Sequence, residues 1–284
     1  MSNVCVDTTQ VFKENLFAGK VLLCSGGGSG ICRTMTTAMV KHGAHAVIVS
    51  RSKDKLEKAA EEMRLETGGQ IIAVAGDVRK PEDMENAVKA TVEKFGRIDF
   101  LINGAAGNFL APFQGLSYNA FKTVIDIDVL GTFNLTKAAS EYLKKTKGSI
   151  INVSATLYYT GVPFQLHAGT AKAAIDAMTK HLAIELGPHG VRVNGLSPGP
   201  IASTVGMTKL SAAFKRDGVN DYEGVPMGRA GETMDIAQAT VFMNSAGASW
   251  ITGTTLVIDG GSWMTNTPAN YPEMVINPPK LARL

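Results

Sequence analysis

Short apolar runs rich in valine, isoleucine and leucine alternate along the chain with segments whose apolar residues recur at helical spacing. This alternation is typical of βαβ units, in which helices cover both faces of a parallel sheet. The pattern therefore predicts an α/β fold with a doubly wound parallel sheet of about seven strands and helices on both faces. The predicted strands are Lys20–Cys24, Ala46–Ser50, Gln70–Ala75, Asp99–Asn103, Ser149–Val153, Arg192–Leu196 and Thr255–Ile258.

The helices fill the gaps between these strands. Ala171–Leu186 shows helical spacing of its apolar residues, and Gly187-Pro188 ends the run. No proline-rich or low-complexity linker interrupts residues 20–260, which favours one domain over two. Four of the eleven prolines lie in the last seventeen residues, so we expect an extended C-terminal tail. The predicted organisation is an N-terminal extension (1–17), one catalytic domain (18–262) with a substrate loop near 206–226, and the tail (263–284).

Composition narrows the functional classes. Hydrophobic residues make up 45% of the chain and charged residues 19%, which permits a large core and excludes disorder. The net charge of +3, from 28 basic and 25 acidic residues without a long basic run, argues against nucleic-acid binding. The three cysteines (Cys5, Cys24, Cys32) form no CxxC pair, so we expect free thiols and no metal site. Apolar runs are too short for membrane insertion.

A glycine-rich turn follows the first strand and precedes a helical stretch. Glycines let the chain turn tightly and let backbone N–H groups approach a pyrophosphate at the positive end of the next helix. Strand, turn and helix occur in the order that a dinucleotide site requires, which makes the sheet Rossmann-type. The predicted phosphate-binding residues are Gly26, Gly27, Gly28, Ser29, Gly30 and Ile31.

Three further positions at strand ends indicate how the cofactor would be held. Arg51 follows the second strand, where an acidic residue would bind the ribose of NAD and an arginine attracts a 2′-phosphate. NADPH is therefore the expected cofactor. Asp77 and Asn103 follow the third and fourth strands, where loops at the carboxyl ends of parallel strands face a ligand.

Taken together, the motifs resemble the short-chain dehydrogenase/reductase family over roughly residues 18–262. Two residues depart modestly from the family's turn: Ser25 stands where threonine is usual, and Cys32 stands where a third glycine is usual. The resemblance is carried, in the family's order, by the glycine-rich turn, Asp77-Val78, Asn103–Gly107, the Ser154 region, Lys172 and Ser197–Ile201.

The expected active site departs from that family. Its members usually carry Tyr-x-x-x-Lys, one helical turn apart, with a serine about thirteen residues before the tyrosine. Lys172 is present here, but Ala168 stands at the tyrosine position and Ala155 at the serine position. Asp128 replaces an asparagine that the family often carries. The proton donor of ordinary carbonyl reduction is therefore missing, which leaves either a silent binding protein or a reaction that needs no tyrosine.

Reduction of a conjugated thioester is such a reaction, because the charge produced by hydride addition delocalises onto the thioester oxygen and the proton goes to carbon. The chain resembles one branch of the family, the peroxisomal 2,4-dienoyl-CoA reductases. The resemblance implies NADPH-dependent formation of 3-enoyl-CoA, with Asp128 and Lys172 supplying the acid through a water. A 2-enoyl-CoA reductase and a non-catalytic NADPH-binding protein remain alternatives. The runs that carry the resemblance are Ala105–Leu110, Asn119–Asp128, Ala155-Thr156-Leu157, His167–Ala174 and Asp176–Thr179.

The same resemblance implies the remaining contacts and partners. A fatty acyl-CoA would meet Arg79 and the segment Phe109, Leu110 and Ala111, while Lys172 would also hold the cofactor. The family commonly forms homo-oligomers. The chain ends in Ala282-Arg283-Leu284, which repeats the chemistry of a peroxisomal import signal, so an import receptor and a peroxisomal location are expected. The further cofactor residues that the branch implies are Pro198, Gly199, Pro200, Ile201 and Thr204.

Overall fold

A seven-stranded sheet forms the centre of the computed structural model, which describes residues 5–202, 204, 225–265 and 276–277. All neighbouring strands are parallel, in the order β3-β2-β1-β4-β5-β6-β7. The predicted fold class is confirmed, and the predicted strand ends differ from the observed ones by at most two residues. The strands are β1 (Val21–Ser25), β2 (His45–Ser50), β3 (Ile71–Ala75), β4 (Phe100–Asn103), β5 (Ser149–Val153), β6 (Arg192–Pro198) and β7 (Thr255–Ile258).

Helices connect the strands and cover both faces of the sheet. The helix predicted at Ala171–Leu186 begins five residues earlier, at Leu166. A π-helical turn, Asp126–Leu130, joins α4 to α5. Within the described ranges the helices are α1 (Gly30–Lys41), α2 (Lys53–Thr67), α3 (Pro81–Phe95), α4 (Tyr118–Ile125), α5 (Gly131–Thr146), α6 (Leu166–Leu186), α7 (Thr233–Asn244) and α8 (Ser262–Thr265).

The core consists of two apolar layers, one on each face of the sheet. Successive residues of β1 contribute to opposite layers: Leu22 packs with Met35 and Ile236, whereas Leu23 packs with Met84. Because β1 and β2 are buried on both faces, they contain uninterrupted apolar runs rather than alternating polar residues. None of the helices in the described ranges combines the length and hydropathy needed to cross a membrane.

The segments outside the sheet differ from expectation at one point. The tail predicted as extended from residue 263 begins instead with the last three residues of α8. The Asp259 carboxylate accepts the backbone N–H groups of Gly261 and Trp263, at 2.9 and 2.7 Å, which starts this helical turn before the proline-rich part of the tail. The predicted substrate loop lies outside the described residues except for 225 and 226, as does the tail beyond 265 except for 276 and 277.

The order of the strands fixes where a ligand can bind. The chain runs outward from β1 to β3 and then crosses back to β4 on the other side of β1. Loops after β1 and β4 therefore leave the sheet in opposite directions and open a crevice at its carboxyl edge. The predicted site residues end strands at this edge, follow them or lie on the helical elements beside it.

Candidate active site

The glycine-rich turn occupies the crevice between β1 and β4. Gly26 has a φ of +74°, and a Cβ atom there would lie 2.9 Å from the carbonyl oxygen of Gly104. A Cβ atom on Gly27 would lie 2.5 Å from a methyl carbon of Ile48. Both positions therefore require glycine, since any side chain would push the turn away from the sheet.

The turn presents backbone groups to solvent at the start of α1. Ser29 and Gly30 are exposed, and the Ser29 side chain forms no capping hydrogen bond with the helix. The twelve-residue helix α1 begins at Gly30, so its positive end faces the crevice. This close-packed, backbone-lined turn fits the pyrophosphate of a dinucleotide.

Ser25 connects the turn to the neighbouring strand end. Its hydroxyl oxygen accepts hydrogen bonds from the N–H groups of Gly104 and Ala105, at 3.1 and 3.2 Å. Threonine, usual at this position in the family, would supply the same oxygen. The sequence showed Ser25 only as a departure from the family pattern, whereas the structure shows that it holds the ends of β1 and β4 together.

Arg51 and Asp77 line an open cleft beside the turn, together with Ala75, Gly76 and Asp83. Arg51 forms no ion pair within the described residues and is exposed. Its guanidinium is therefore available to a ligand phosphate.

The structure pairs Arg79 with Asp77. The Arg79 Nε atom donates to both carboxylate oxygens of Asp77 at 3.0 Å. These hydrogen bonds hold the pKa of Asp77 below its ordinary value, and the nearby charge of Arg51 contributes to the shift. Arg79, predicted to contact substrate, thus lies beside a residue predicted to contact the cofactor.

Asn103 lies in a buried polar chain below the site. Its side-chain amide nitrogen donates to the Thr136 hydroxyl at 2.9 Å and to the Asn152 side-chain oxygen at 2.8 Å. Asn152 in turn donates to the hydroxyl of Thr179 on α6, at 2.9 Å. Both amide hydrogens of Asn103, a predicted cofactor contact, are therefore used to join β4, β5 and their flanking helices.

The segment after β6 closes the far side of the crevice. Pro198 ends the strand, and a Cβ atom on Gly199 would lie 2.4 Å from that of Asp259. Pro200 and Ile201 pair with Gly231, and the Thr204 hydroxyl donates to the Ile201 carbonyl at 2.9 Å. The loop thus stands at the carboxyl edge of the sheet, where the resemblance expects cofactor contacts.

Asp128 and Lys172 form a buried ion pair at the centre of the site. The π-helical turn supplies Asp128 and α6 supplies Lys172, and the ammonium nitrogen lies 2.9 Å from Oδ1 of the carboxylate. The two side chains are 1% and 11% exposed, respectively. Oδ2 of Asp128 accepts the N–H of Gly107 at 2.8 Å, and Lys172 donates to the Val153 carbonyl at 3.0 Å. The structure thus brings together the two predicted catalytic residues.

This arrangement leaves hydrogens of the ammonium available to a ligand. A lysine ammonium carries three hydrogens. Within the described residues one of them is donated to the Val153 carbonyl, while the contact with Asp128 is an ion pair in which Oδ1 accepts no hydrogen bond. A remaining hydrogen can bind a hydroxyl group of a ligand.

No hydroxyl of the usual kind stands beside this pair in the described residues. Ala168 is buried one turn before Lys172, and the buried Ser154 hydroxyl points to the Lys172 backbone oxygen at 3.5 Å. Tyr158 instead donates to the carboxylate of Asp176 on α6. Burial, followed by that hydrogen bond, raises the pKa of Tyr158 well above its ordinary value. Tyr158 is therefore a poor proton donor, and its position does not replace the missing tyrosine.

The predicted substrate segment lies beside the ion pair. Phe109, Leu110 and Ala111 are all half-buried, and the Ala111 N–H donates to the Phe164 carbonyl at 3.1 Å. The ring of His167, a residue to which no sequence motif assigns a role, stacks on Phe109 with 4.1 Å between ring centroids. The segment is thus packed on one side against α6 and partly open on the other.

The crevice lies where the strand order reverses between β1 and β4, and it holds a glycine-rich turn and a lysine on a helix. These features define the fold of a nicotinamide-dependent oxidoreductase. The family model described as Enoyl-(Acyl carrier protein) reductase matches residues 26–262. The chain belongs to the short-chain dehydrogenase/reductase family.

Its relatives within that family include peroxisomal 2,4-dienoyl-CoA reductases that produce (3E)-enoyl-CoA. The enzyme of Saccharomyces cerevisiae is 49% identical over 93% of this chain and 92% of its own length. That of Danio rerio is 45% identical over 91% of this chain and 86% of its own length. The solved structure of 3-ketoacyl-(acyl-carrier-protein) reductase from Brucella melitensis, complexed with NADH, is 32% identical and has a TM-score of 0.79, covering 87% of this chain and 99% of that one.

Proposed function

We propose that this protein reduces 2,4-dienoyl-CoA thioesters to 3-enoyl-CoA with NADPH, in the peroxisomal β-oxidation of unsaturated fatty acids. The observation that carries the proposal is the buried ion pair of Asp128 and Lys172. Ala168, which is also buried, stands at the position where a tyrosine is usual. The relatives at 43–49% identity are named as peroxisomal enzymes of this activity.

The chemistry follows from the conjugation of the substrate. When bound, the reduced nicotinamide supplies a hydride, which adds at the far end of the diene. The electron pair then moves through the chain to the thioester oxygen, which oriented donors stabilise. A proton added at the carbon next to the thioester gives the 3-enoyl product. No alkoxide is formed, so no phenol has to protonate one.

Asp128 and Lys172 would sustain that protonation. Oδ1 of Asp128 faces the ammonium and accepts no hydrogen bond within the described residues, so a water bound beside the pair could donate to it and would be the immediate acid. A hydrogen of the Lys172 ammonium would hold the ribose of the cofactor. The positive charge would also favour the transient oxyanion.

NADPH is proposed over NADH because of Arg51. Its exposed guanidinium lies at the cleft with Asp77 and makes no ion pair in the described part of the chain. An arginine there can bind a 2′-phosphate through two parallel hydrogen bonds. The residues proposed to hold the cofactor are Gly26–Ile31, Arg51, Asp77, Asn103, Lys172, Pro198–Ile201 and Thr204, and those proposed to contact the acyl-CoA are Arg79 and Phe109–Ala111.

Two partners are also proposed. The terminal Ala282-Arg283-Leu284 would bind a peroxisomal import receptor, although it lies outside the described residues. Further copies of the chain are proposed as the second partner, because the resemblance to the family implies a homo-oligomer.

The function is tested by NADPH consumption with a 2,4-dienoyl-CoA. We expect Asp128→Asn, which keeps the shape but not the charge, to lower kcat by on the order of 10²–10⁴, the usual contribution of general acid catalysis. Asp126→Asn, on the same π-helical turn but paired with exposed Lys122, is the matched control and should keep kcat within about threefold.

Several outcomes would contradict the proposal. Near-normal turnover by Asp128→Asn removes this carboxylate from the mechanism. Preference for a mono-unsaturated 2-enoyl-CoA favours a 2-enoyl-CoA reductase, and NADPH binding without thioester turnover favours a non-catalytic protein. Because removing one partner of a buried ion pair costs about 3–5 kcal/mol, the melting temperature of each variant is measured first.

A further inference from the structure

His167 is a buried polar residue for which the proposed reaction has no role. It is the second residue of α6, next to Ala168 and one and a half turns before Lys172. Its side chain has no exposed surface. A histidine in this position needs an explanation, because an apolar side chain would fill the same space without a desolvation cost.

One nitrogen of the ring holds the backbone of the substrate segment. His167 Nε2 lies 3.0 Å from the carbonyl oxygen of Phe109. Since a carbonyl can only accept, Nε2 carries the hydrogen. The ring also stacks on the Phe109 side chain, with 4.1 Å between centroids and 22° between planes. A single side chain thus fixes both the main chain and the ring of Phe109.

The other ring nitrogen, Nδ1, shows that burying His167 costs free energy. Burial lowers the pKa of His167, although its bond to Phe109 and the charge of Asp128 act in the opposite direction. The neutral ring with hydrogen on Nε2 leaves Nδ1 as an acceptor. Nδ1 is buried and has no hydrogen-bond partner among the described residues. Packing alone does not account for such a group, so its benefit has to come from the contact with Phe109.

The segment around Phe109 is tied at alternate residues. The Gly107 N–H donates to Asp128 at 2.8 Å, and the Ala111 N–H donates to the Phe164 carbonyl at 3.1 Å. His167 ties the residue midway between them. Two of the three partners, Asp128 and His167, lie on the elements that carry the ion pair. The substrate segment and the ion pair are therefore held in fixed positions relative to each other.

We propose that His167 is a positioning residue, whose Nε2–H donor holds Phe109 in the orientation that contacts the acyl chain of the thioester. The inference rests on the proposed function, because Phe109 is assigned to the acyl-CoA there. It extends that function by naming the side chain that sets the geometry of the substrate segment relative to the acid pair.

The test compares two substitutions that differ in the donor. His167→Gln places an amide nitrogen where Nε2 stands, whereas His167→Leu fills the space and cannot donate. We expect His167→Leu to raise KM for a 2,4-dienoyl-CoA about tenfold, the factor that one net hydrogen bond is worth, and His167→Gln to restore it to within about threefold. NADPH affinity, measured by fluorescence titration, should stay within about twofold in both, because His167 lies on the substrate side.

An unchanged KM in His167→Leu overturns the proposal. Equal losses in the leucine and glutamine variants overturn it too, because they would mean that ring packing matters and the donor does not. If His167→Leu does not fold, His167→Asn takes its place, since its amide is one carbon too short to reach the carbonyl.

Hydrogen exchange separates this proposal from the function on which it rests. In the cofactor-free protein we expect the backbone N–H groups of Gly107 and Ala111 to exchange at least about fivefold faster in His167→Leu than in His167→Gln. Equal exchange in the two variants overturns the positioning role. Absence of dienoyl-CoA turnover by the wild type would contradict the proposed function, while the exchange contrast would still support His167 as the residue that holds the segment.

Discussion

Arg51 carries the proposed preference for NADPH, through its charge and because it forms no ion pair in the described residues. The neighbouring Arg79 is committed to Asp77 through two hydrogen bonds of 3.0 Å, whereas Arg51 forms no ion pair in the described ranges. A free guanidinium at the end of β2 can bind an added phosphate without first breaking an internal contact. This difference between two nearby arginines could not be seen in the sequence, where both simply follow strands.

We therefore expect Arg51→Ala to lower the ratio of kcat/KM with NADPH to that with NADH by about 10- to 100-fold, the value of one or two charge-assisted hydrogen bonds. The measurement is initial rates with each cofactor at a fixed dienoyl-CoA concentration. Lys53→Ala is the control: Lys53 begins α2 two residues later, is exposed and pairs with Glu57, so its loss should leave the ratio intact. An unchanged ratio in Arg51→Ala would show that the 2′-phosphate argument is wrong.

Tyrosines near the site show how far residue identity alone can mislead. Tyr158 stands close in sequence to the expected active site, but its hydroxyl donates to Asp176 and its ring meets that of Tyr159 edge to face. Asp128 and Lys172 could be predicted as the acid pair from the residue spacing before Lys172 and from the family resemblance alone. The partner of Tyr158 depended on how the turn after β5 packs on α6.

At the scale of elements, the π-helical turn between α4 and α5 places Asp128, the carboxylate proposed to act in catalysis. The turn directs Asp128 inward to Gly107 and Lys172, while Asp126 of the same turn pairs with Lys122 at its margin. Immediately after the turn, α5 approaches the loop that follows β3. Gly131 is the residue that permits this approach, since a Cβ atom there would lie 2.6 Å from a methyl carbon of Val78.

Gly131→Ala should lower the free energy of unfolding by about 1–3 kcal/mol, the usual cost of overpacking, despite the higher helix propensity of alanine. Val78 cannot easily move, because its carbonyl accepts the side-chain amide of Asn134 at 2.9 Å. Gly169→Ala, inside α6, is the matched control: the nearest atom outside its helix would be the Leu157 carbonyl oxygen, 3.8 Å from the added Cβ, so stability should stay equal or rise by up to about 1 kcal/mol. Urea unfolding measures both variants, and equal stabilities would refute the packing argument.

At the scale of the whole molecule, one sheet carries both the proposed cofactor residues and the proposed acid pair. The glycine turn and Arg51 follow β1 and β2, while Asp128 and Lys172 come from elements that flank β4 and β5. The N-terminal extension packs onto this body: Asp7 pairs with Lys41 at 3.0 Å, and Gln238 donates to the Val6 carbonyl at 2.7 Å. In the described ranges, the extension therefore joins α1 and α7 rather than forming a separate unit.

Location is also a property of the whole chain. A fluorescent protein fused to the N-terminus should co-localise with a peroxisomal marker, and deletion of Ala282-Arg283-Leu284 should disperse it, if these residues are the import signal proposed above. Lys280→Ala leaves the last three residues intact and should remain peroxisomal. Peroxisomal fluorescence after the deletion would show that another signal directs import.

The sequence by itself determined the order and type of the elements and the nature of the cofactor turn. Strands buried on both faces need continuous apolar runs, so β1 and β2 were visible in the pattern. Gly26 is fixed by backbone geometry, which is a local property. The spacing of Ala168 and Lys172 on one helix, also local, showed that the usual proton donor is absent.

Only the tertiary structure decided which side chains meet. The 2.9 Å contact of Asp128 with Lys172, the bond of His167 to Phe109 and the chain from Asn103 to Asn152 each join elements far apart in sequence. Such contacts depend on how helices pack on the sheet to within about an ångström, and the apolar pattern does not specify packing at that precision. The physical basis of the site is therefore local for the cofactor turn and non-local for the acid pair.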